Sequence, residues 1–124
     1  MVLEHFEISE FDCPTLMGSG KMMDDKFLFK LDKARHTANI PFVITSGYRT
    51  KEYNEDLIRR NYKASRNSSH LKGIAADIKC NTSKNRWIII NNLLLAGFTR
   101  IGVGDTFIHV DLDKDKTQNV IWTY

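Results

Sequence analysis

Ser69-His70-Leu71-Lys72-Gly73-Ile74-Ala75-Ala76-Asp77 and, further along, Phe107-Ile108-His109-Val110-Asp111 are the two stretches of this chain whose residue types can do chemistry. Two imidazoles and a carboxylate suit a borderline divalent ion such as Zn²⁺. Three protein ligands with an open fourth position are the pattern of a catalytic rather than a structural centre.

Those residues need elements that turn them the same way. In the second stretch a period of two puts Ile108, Val110 and Leu112 on one strand face, which leaves His109 and Asp111 on the other. In the first, the same alternation buries Ile74, Ala76 and Ile78 and turns Asp77 to the opposite face. His70 then comes from a loop and Asp77 from a strand. Gly73 between them permits the tight turn that lets the two converge.

Ser68-Ser69-His70 through Asp77, the upstream Ser46-Gly47-Tyr48-Arg49-Thr50, and the late Phe-Ile-His-Val-Asp strand occur in a fixed order. Together they resemble the zinc D-alanyl-D-alanine carboxypeptidase and L-alanyl-D-glutamate endopeptidase family, of peptidase M15 type, which cuts peptidoglycan peptides and includes phage endolysins. The resemblance runs from about Phe11 to Tyr124. It implies that His70, Asp77 and His109 are the zinc ligands, that Arg49 lies beside the metal and holds a substrate carboxylate or carbonyl oxygen, and that Ser69 and Ser46 bind substrate. It also implies a hedgehog/DD-peptidase-like fold. One position departs from the pattern: several relatives carry Glu or Asp three residues before the last histidine as general base, and this chain has Thr106 there. Asp111 is the first replacement, on the same strand face as His109, and Asp105 in the preceding loop is the second. A carboxylate is needed because the attacking water must give up its proton, which then passes to the leaving amine.

Other readings stand beside this one. Arg49 could instead pair with Glu52 or Asp56 in the following helix. His5 and His36 match no motif and read as solvated. The chain could also be a metal-containing domain that binds wall peptide or a protein partner without hydrolysis, for which Thr106 is the supporting feature. A nucleic-acid-binding role would use Arg59, Arg60, Lys63, Arg66 and Lys72, with Tyr62 stacking on a base; nucleic acid is not the expected partner.

A length of 124 residues with 42% apolar content fits a single domain spanning 1–124 with one core, expected to be monomeric. The net charge of +3 is mildly basic, and the Arg59 to Lys72 cluster could steer the chain toward anionic wall polymer. No stretch approaches the ~18 apolar residues of a membrane span, and Met1-Val2-Leu3-Glu4-His5 lacks a signal-peptide pattern. Synthesis in a cytoplasm and action at the cell wall as a phage, prophage or virion product are therefore expected. Cys13 and Cys80 read as free, buried thiols.

The remaining elements follow from caps and periodicity. Asp24 or Asp25 caps a helix carrying Phe27, Leu28, Leu31 and Ala34 that ends near Asn39. Phe42-Val43-Ile44 reads as a strand delivering Ser46 to Arg49. Thr50 caps a second helix with Tyr53, Leu57 and Ile58 inward. Thr82 or Ser83 caps a third with Trp87, Ile88, Ile90, Leu93, Leu94 and Leu95, taken as the main core element with Trp87 packed. Strands at Arg100 to Val103, Phe107 to Leu112 and Val120 to Tyr124 complete an α+β fold with a small antiparallel-rich sheet and helices packed on it.

Overall fold

The computed structural model describes residues 2–62 and 64–124; Met1 and Lys63, named above in the N-terminal and basic-cluster readings, lie outside the described residues. The elements are α1 (Asp25–Ala38), β1 (Ile44–Ser46), α2 (Lys51–Arg59), β2 (Ala75–Lys79), α3 (Ser83–Leu95), β3 (Arg100–Val103), β4 (Phe107–Asp111) and β5 (Val120–Thr123). Each helix starts where a short polar side chain captures a free amide: Asp24 accepts from Phe27 N, Thr50 from Tyr53 N and Thr82 from Asn85 N. A left-handed Asn39 closes α1.

The sheet order is β1-β2-β4-β3-β5, antiparallel except that β5 runs parallel to β3. The fold is thus α+β. Its core is a single cluster in which Phe27, Leu28, Leu31 and Ala34 of α1 and Ile89 and Leu93 of α3 meet Ala76, Ile78, Ile101, Ile108 and Val110 of the sheet. Full burial of each large aliphatic or aromatic side chain contributes roughly 1.5–3 kcal/mol. This apolar packing fixes one sheet face and leaves the other free to carry polar groups.

Two expectations need correction. The strand begins at Ile44, not Phe42: Phe42 is buried in the core and Val43 is exposed, because pairing with β2 starts at Ile44↔Ile78 and slips by a bulge to Ser46↔Asp77. In α3 the inward stripe is Ile89, Asn92 and Leu93, whereas Trp87 is 68% exposed and Leu94 and Leu95 are exposed too. A helix that is apolar nearly all round can bury only the stripe facing its neighbours, so composition alone placed too much of α3 inside. Among the described residues no helix is long and apolar enough to cross a membrane. Cys13 and Cys80 are buried free thiols.

Candidate metal centre

One transverse row of the sheet carries the chemistry. Ser46 pairs with Asp77, Asp77 with His109, His109 with Gly102, and Gly102 with Trp122. Residues directly opposite across strands point the same way, so the row projects as a unit from the face away from the core. A side chain at Gly102 would strike the Trp122 ring, so its glycine lets that indole lie over the row. The His109 ring then sits between those of His70 and Trp122, at centroid distances of 5.2 and 5.6 Å.

His70 reaches the row from a short 3-10 helix, Ser69–Lys72, that Ser68 caps through the His70 amide and Gly73 ends at φ 70°. At Gly73 a Cβ would also collide with the Met22 carbonyl, so no other residue makes this turn without strain. His70, Asp77 and His109 present one donor atom each, all within 4.8 Å of one another. His109 Nδ1 lies 2.9 Å and His70 Nε2 3.4 Å from Asp77 Oδ1.

The second nitrogen of each ring is held. His70 Nδ1 is 2.7 Å from the Gly47 carbonyl, which can only accept, so Nδ1 carries the proton and Nε2 is left as a lone pair toward Asp77. His109 Nε2 is 2.8 Å from Asp111 Oδ2. With carboxylates on both nitrogens, His109 needs either a second proton or a metal cation on its Nδ1 side. Burial opposes the charged His109, but Asp111 and Asp77 outweigh it and raise its pKa. Burial lowers that of His70, keeping it neutral. Burial also works against Asp77 as an anion, yet the two imidazoles hold its carboxyl well below the usual range. A neutral imidazole, an ionised carboxylate and a second imidazole fixed by its partner form a donor set that fits zinc.

Arg49 is buried beside this group, with NH2 3.5 Å from Asp77 Oδ2, Nε donating to Ser46 Oγ at 3.0 Å and NH1 to Asn54 Oδ1 at 3.2 Å. Its pairing is with the site and not with Glu52 or Asp56. Burial lowers its pKa, and Asp77 counters that. Ser46 therefore orients Arg49 with the hydroxyl that the sequence assigned to substrate.

Asp111 is only 1% exposed and lies on the ring nitrogen of His109 that faces away from Asp77. Its other oxygen accepts from Arg100 Nε at 2.8 Å and from the Asp113 amide at 3.0 Å. Burial works against its ionisation, and His109, the Asp113 amide and Arg100 lower its pKa. The structure brings Asp111 to the centre as a support behind His109. Ser69 is buried too, donating to Asp113 Oδ2 at 2.7 Å and accepting from Lys116 Nζ at 3.1 Å. Asp105 and Thr106 are both exposed.

A cavity of about 290 Å³ opens over Arg49, His70, Asp77 and His109, walled by Phe107, Trp122, Tyr124 and Lys116. A wider groove of about 970 Å³ shares Arg49, Asp77 and Phe107 with it and is lined further by Asp105, Thr106, Tyr53 and Tyr62. The sequence reading missed Arg100, Asp113, Lys116, Asn54 and Trp122. For Asp113 a signal existed, since it continues the alternation of His109 and Asp111. For Lys116 and Asn54 none did. The basic cluster is partly neutralised: Arg59 and Arg60 pair with Asp56, Lys72 with Asp113 and Asp115, and Arg60 covers the Tyr62 ring at 5.1 Å.

Comparison with known proteins gives one family: the model of peptidase M15 matches residues 4–111. No curated protein matches the chain.

Proposed function

The chain belongs to the peptidase M15 family, which makes it a metallopeptidase of peptide substrates, and from that premise we propose that it is a zinc peptidase hydrolysing stem peptides of bacterial peptidoglycan, of D-Ala-D-Ala carboxypeptidase or L-Ala-D-Glu endopeptidase type. The observation that carries this reading is the convergence of His70, Asp77 and His109 within 4.8 Å of one another, beside a buried arginine. When bound there, zinc supplies a Lewis acid that polarises a carbonyl and makes water a nucleophile near neutral pH.

The protein residues do the rest. Arg49, fixed by Ser46 and Asn54, is placed to hold a substrate oxygen and to stabilise the negative charge that grows on it during attack. The Gly47 carbonyl and Asp111 act by orientation: the first fixes the tautomer of His70, and the second fixes the ring of His109. Phe107, Trp122 and Tyr124 wall the cavity with aromatic surface, which lowers the local dielectric and strengthens each of these interactions. Because both Asp111 oxygens are occupied, we assign the proton-accepting role to Asp105, the carboxylate lining the groove that Asp77 and Arg49 also line. It takes the proton of the attacking water and returns it to the leaving amine. In this reading the site of action is the bacterial cell wall.

The test is release of free amines from purified peptidoglycan by the zinc-loaded chain. Wild type releases them, and Asp105→Asn slows release by roughly 10²–10⁴-fold. Zinc binding without any release would instead support the second reading, a metal-containing domain that binds wall peptide or a protein without cutting it, which Thr106 and the buried placement of Asp111 favour.

A further inference from the structure

His36 is solvent-exposed and His5 partly so, as their sequence suggests, but they meet at the surface. The N-terminal segment is pinned to α1 by Asp32, a buried carboxylate that accepts from the amides of Glu4 at 2.9 Å and His5 at 3.0 Å, while Leu3 and Phe6 enter the core on either side. His36 stands one helical turn beyond Asp32, so the pinning sets Glu4 and His5 against it. The His5 and His36 rings stack at 5.2 Å with an interplanar angle of 28°.

Three donor atoms form a triangle. His5 Nε2 is 3.0 Å from His36 Nδ1, and Glu4 Oε2 is 3.7 Å from the first and 3.5 Å from the second. The point equidistant from all three lies about 2.0 Å from each, which falls within the Zn–N and Zn–O bond lengths of about 2.0–2.2 Å. A neighbouring surface cavity of about 320 Å³, lined by His5, His36, Arg35 and Ile40, leaves room for water to complete a coordination shell. Arg35, which lines the same cavity, has its guanidinium stacked over the Phe6 ring at 4.7 Å.

We infer that Glu4, His5 and His36 form a second divalent transition-metal site, separate from the buried centre. Two imidazoles and one carboxylate select zinc, or copper and nickel ions, over magnesium and calcium, which prefer all-oxygen shells. The ion clamps the N-terminal segment to the end of α1. Because the three ligands come together only in the folded chain, metal at this site stabilises the fold by linkage.

The test uses untagged protein stripped with a chelator and titrated with zinc, bound metal being counted by mass spectrometry after gel filtration. His36 is 65% exposed on its side chain, so His36→Gln folds normally. The count falls by one equivalent in His36→Gln and in Glu4→Gln, whatever the buried centre holds, and amine release from peptidoglycan is unchanged. Zinc raises the Tm of His109→Ala but not that of the His109→Ala, His36→Gln double variant. Equal zinc counts in wild type and His36→Gln would overturn the inference, as would a zinc-induced Tm rise that survives in the double variant.

Discussion

The buried group of His70, Asp77 and His109 and the surface group of Glu4, His5 and His36 use the same ligand types at similar distances, and they differ in what stands behind them. Each buried imidazole has its second nitrogen held, one by the Gly47 carbonyl and one by Asp111. Among the described residues the surface histidines have each other and Glu4 at their rings, and are otherwise placed through their backbone, by Asp32 and by α1. A site that must orient a reacting molecule needs fixed rings and low dielectric. A site that only clamps two segments does not. In the proposed assignment, what distinguishes the two groups is the support behind the ligands rather than the ligands themselves.

The sharpest way to break that comparison is to remove a ligand from each side. Asp77→Asn abolishes amine release from peptidoglycan, a loss of at least ~10³-fold, since both the metal set and the partner of Arg49 go at once. Glu4→Gln leaves the rate unchanged. Arg49→Ala comes next, lowering the rate roughly 10²–10³-fold if the guanidinium stabilises developing charge; an effect confined to KM would reassign it to ground-state binding.

Support behind the ligand gives a smaller effect. Asp111→Asn weakens zinc affinity about 10–100-fold, and because it leaves the buried Arg100 charge without its partner, it also costs about 3–5 kcal/mol of stability. Zinc titration and denaturant unfolding read the two effects separately. If Asp111 were instead the proton shuttle, the rate at saturating zinc would collapse while affinity held.

Acid sharpens the picture further. Burial works against an ionised Asp113, but the Ser69 hydroxyl and Lys72 outweigh it and hold its pKa at about 2. A carboxyl depressed in the folded state adds stability at neutral pH, and that stability is lost as pH falls from about 4 toward 2. Unfolding titrations should show the loss in this window, and Asp113→Asn should reduce it, leaving the part that the depressed carboxyls of Asp77 and Asp111 contribute. The smallest effect belongs to Trp87→Ser, within about 0.5 kcal/mol of wild type, because the indole is exposed.

The facing of Asp77 and His109 was legible because strand alternation is strict: once Ile108 and Val110 must face the core, His109 and Asp111 must not, whereas His70, on a short 3-10 helix, was named only through the resemblance of its motif. Helix starts were legible from Asp24, Thr50 and Thr82 because capping is local chemistry. What alternation could not tell was which nitrogen of His109 each carboxylate meets, and so whether Asp111 stands before or behind the ring. Nor could it bring His5 to His36, 31 positions apart, since their meeting depends on one buried carboxylate and two core side chains. Trp87 misled for the reverse reason: α3 carries more apolar residues than its inward stripe can hold.

The most direct measurement compares wild type with His109→Ala, recording bound zinc and amine release from purified peptidoglycan in the same samples. The account predicts that the variant loses one equivalent of zinc and all amine release together. A variant that keeps the wild-type zinc count, or that still releases amines after losing zinc, would contradict the assignment of His70, Asp77 and His109 as the reactive centre.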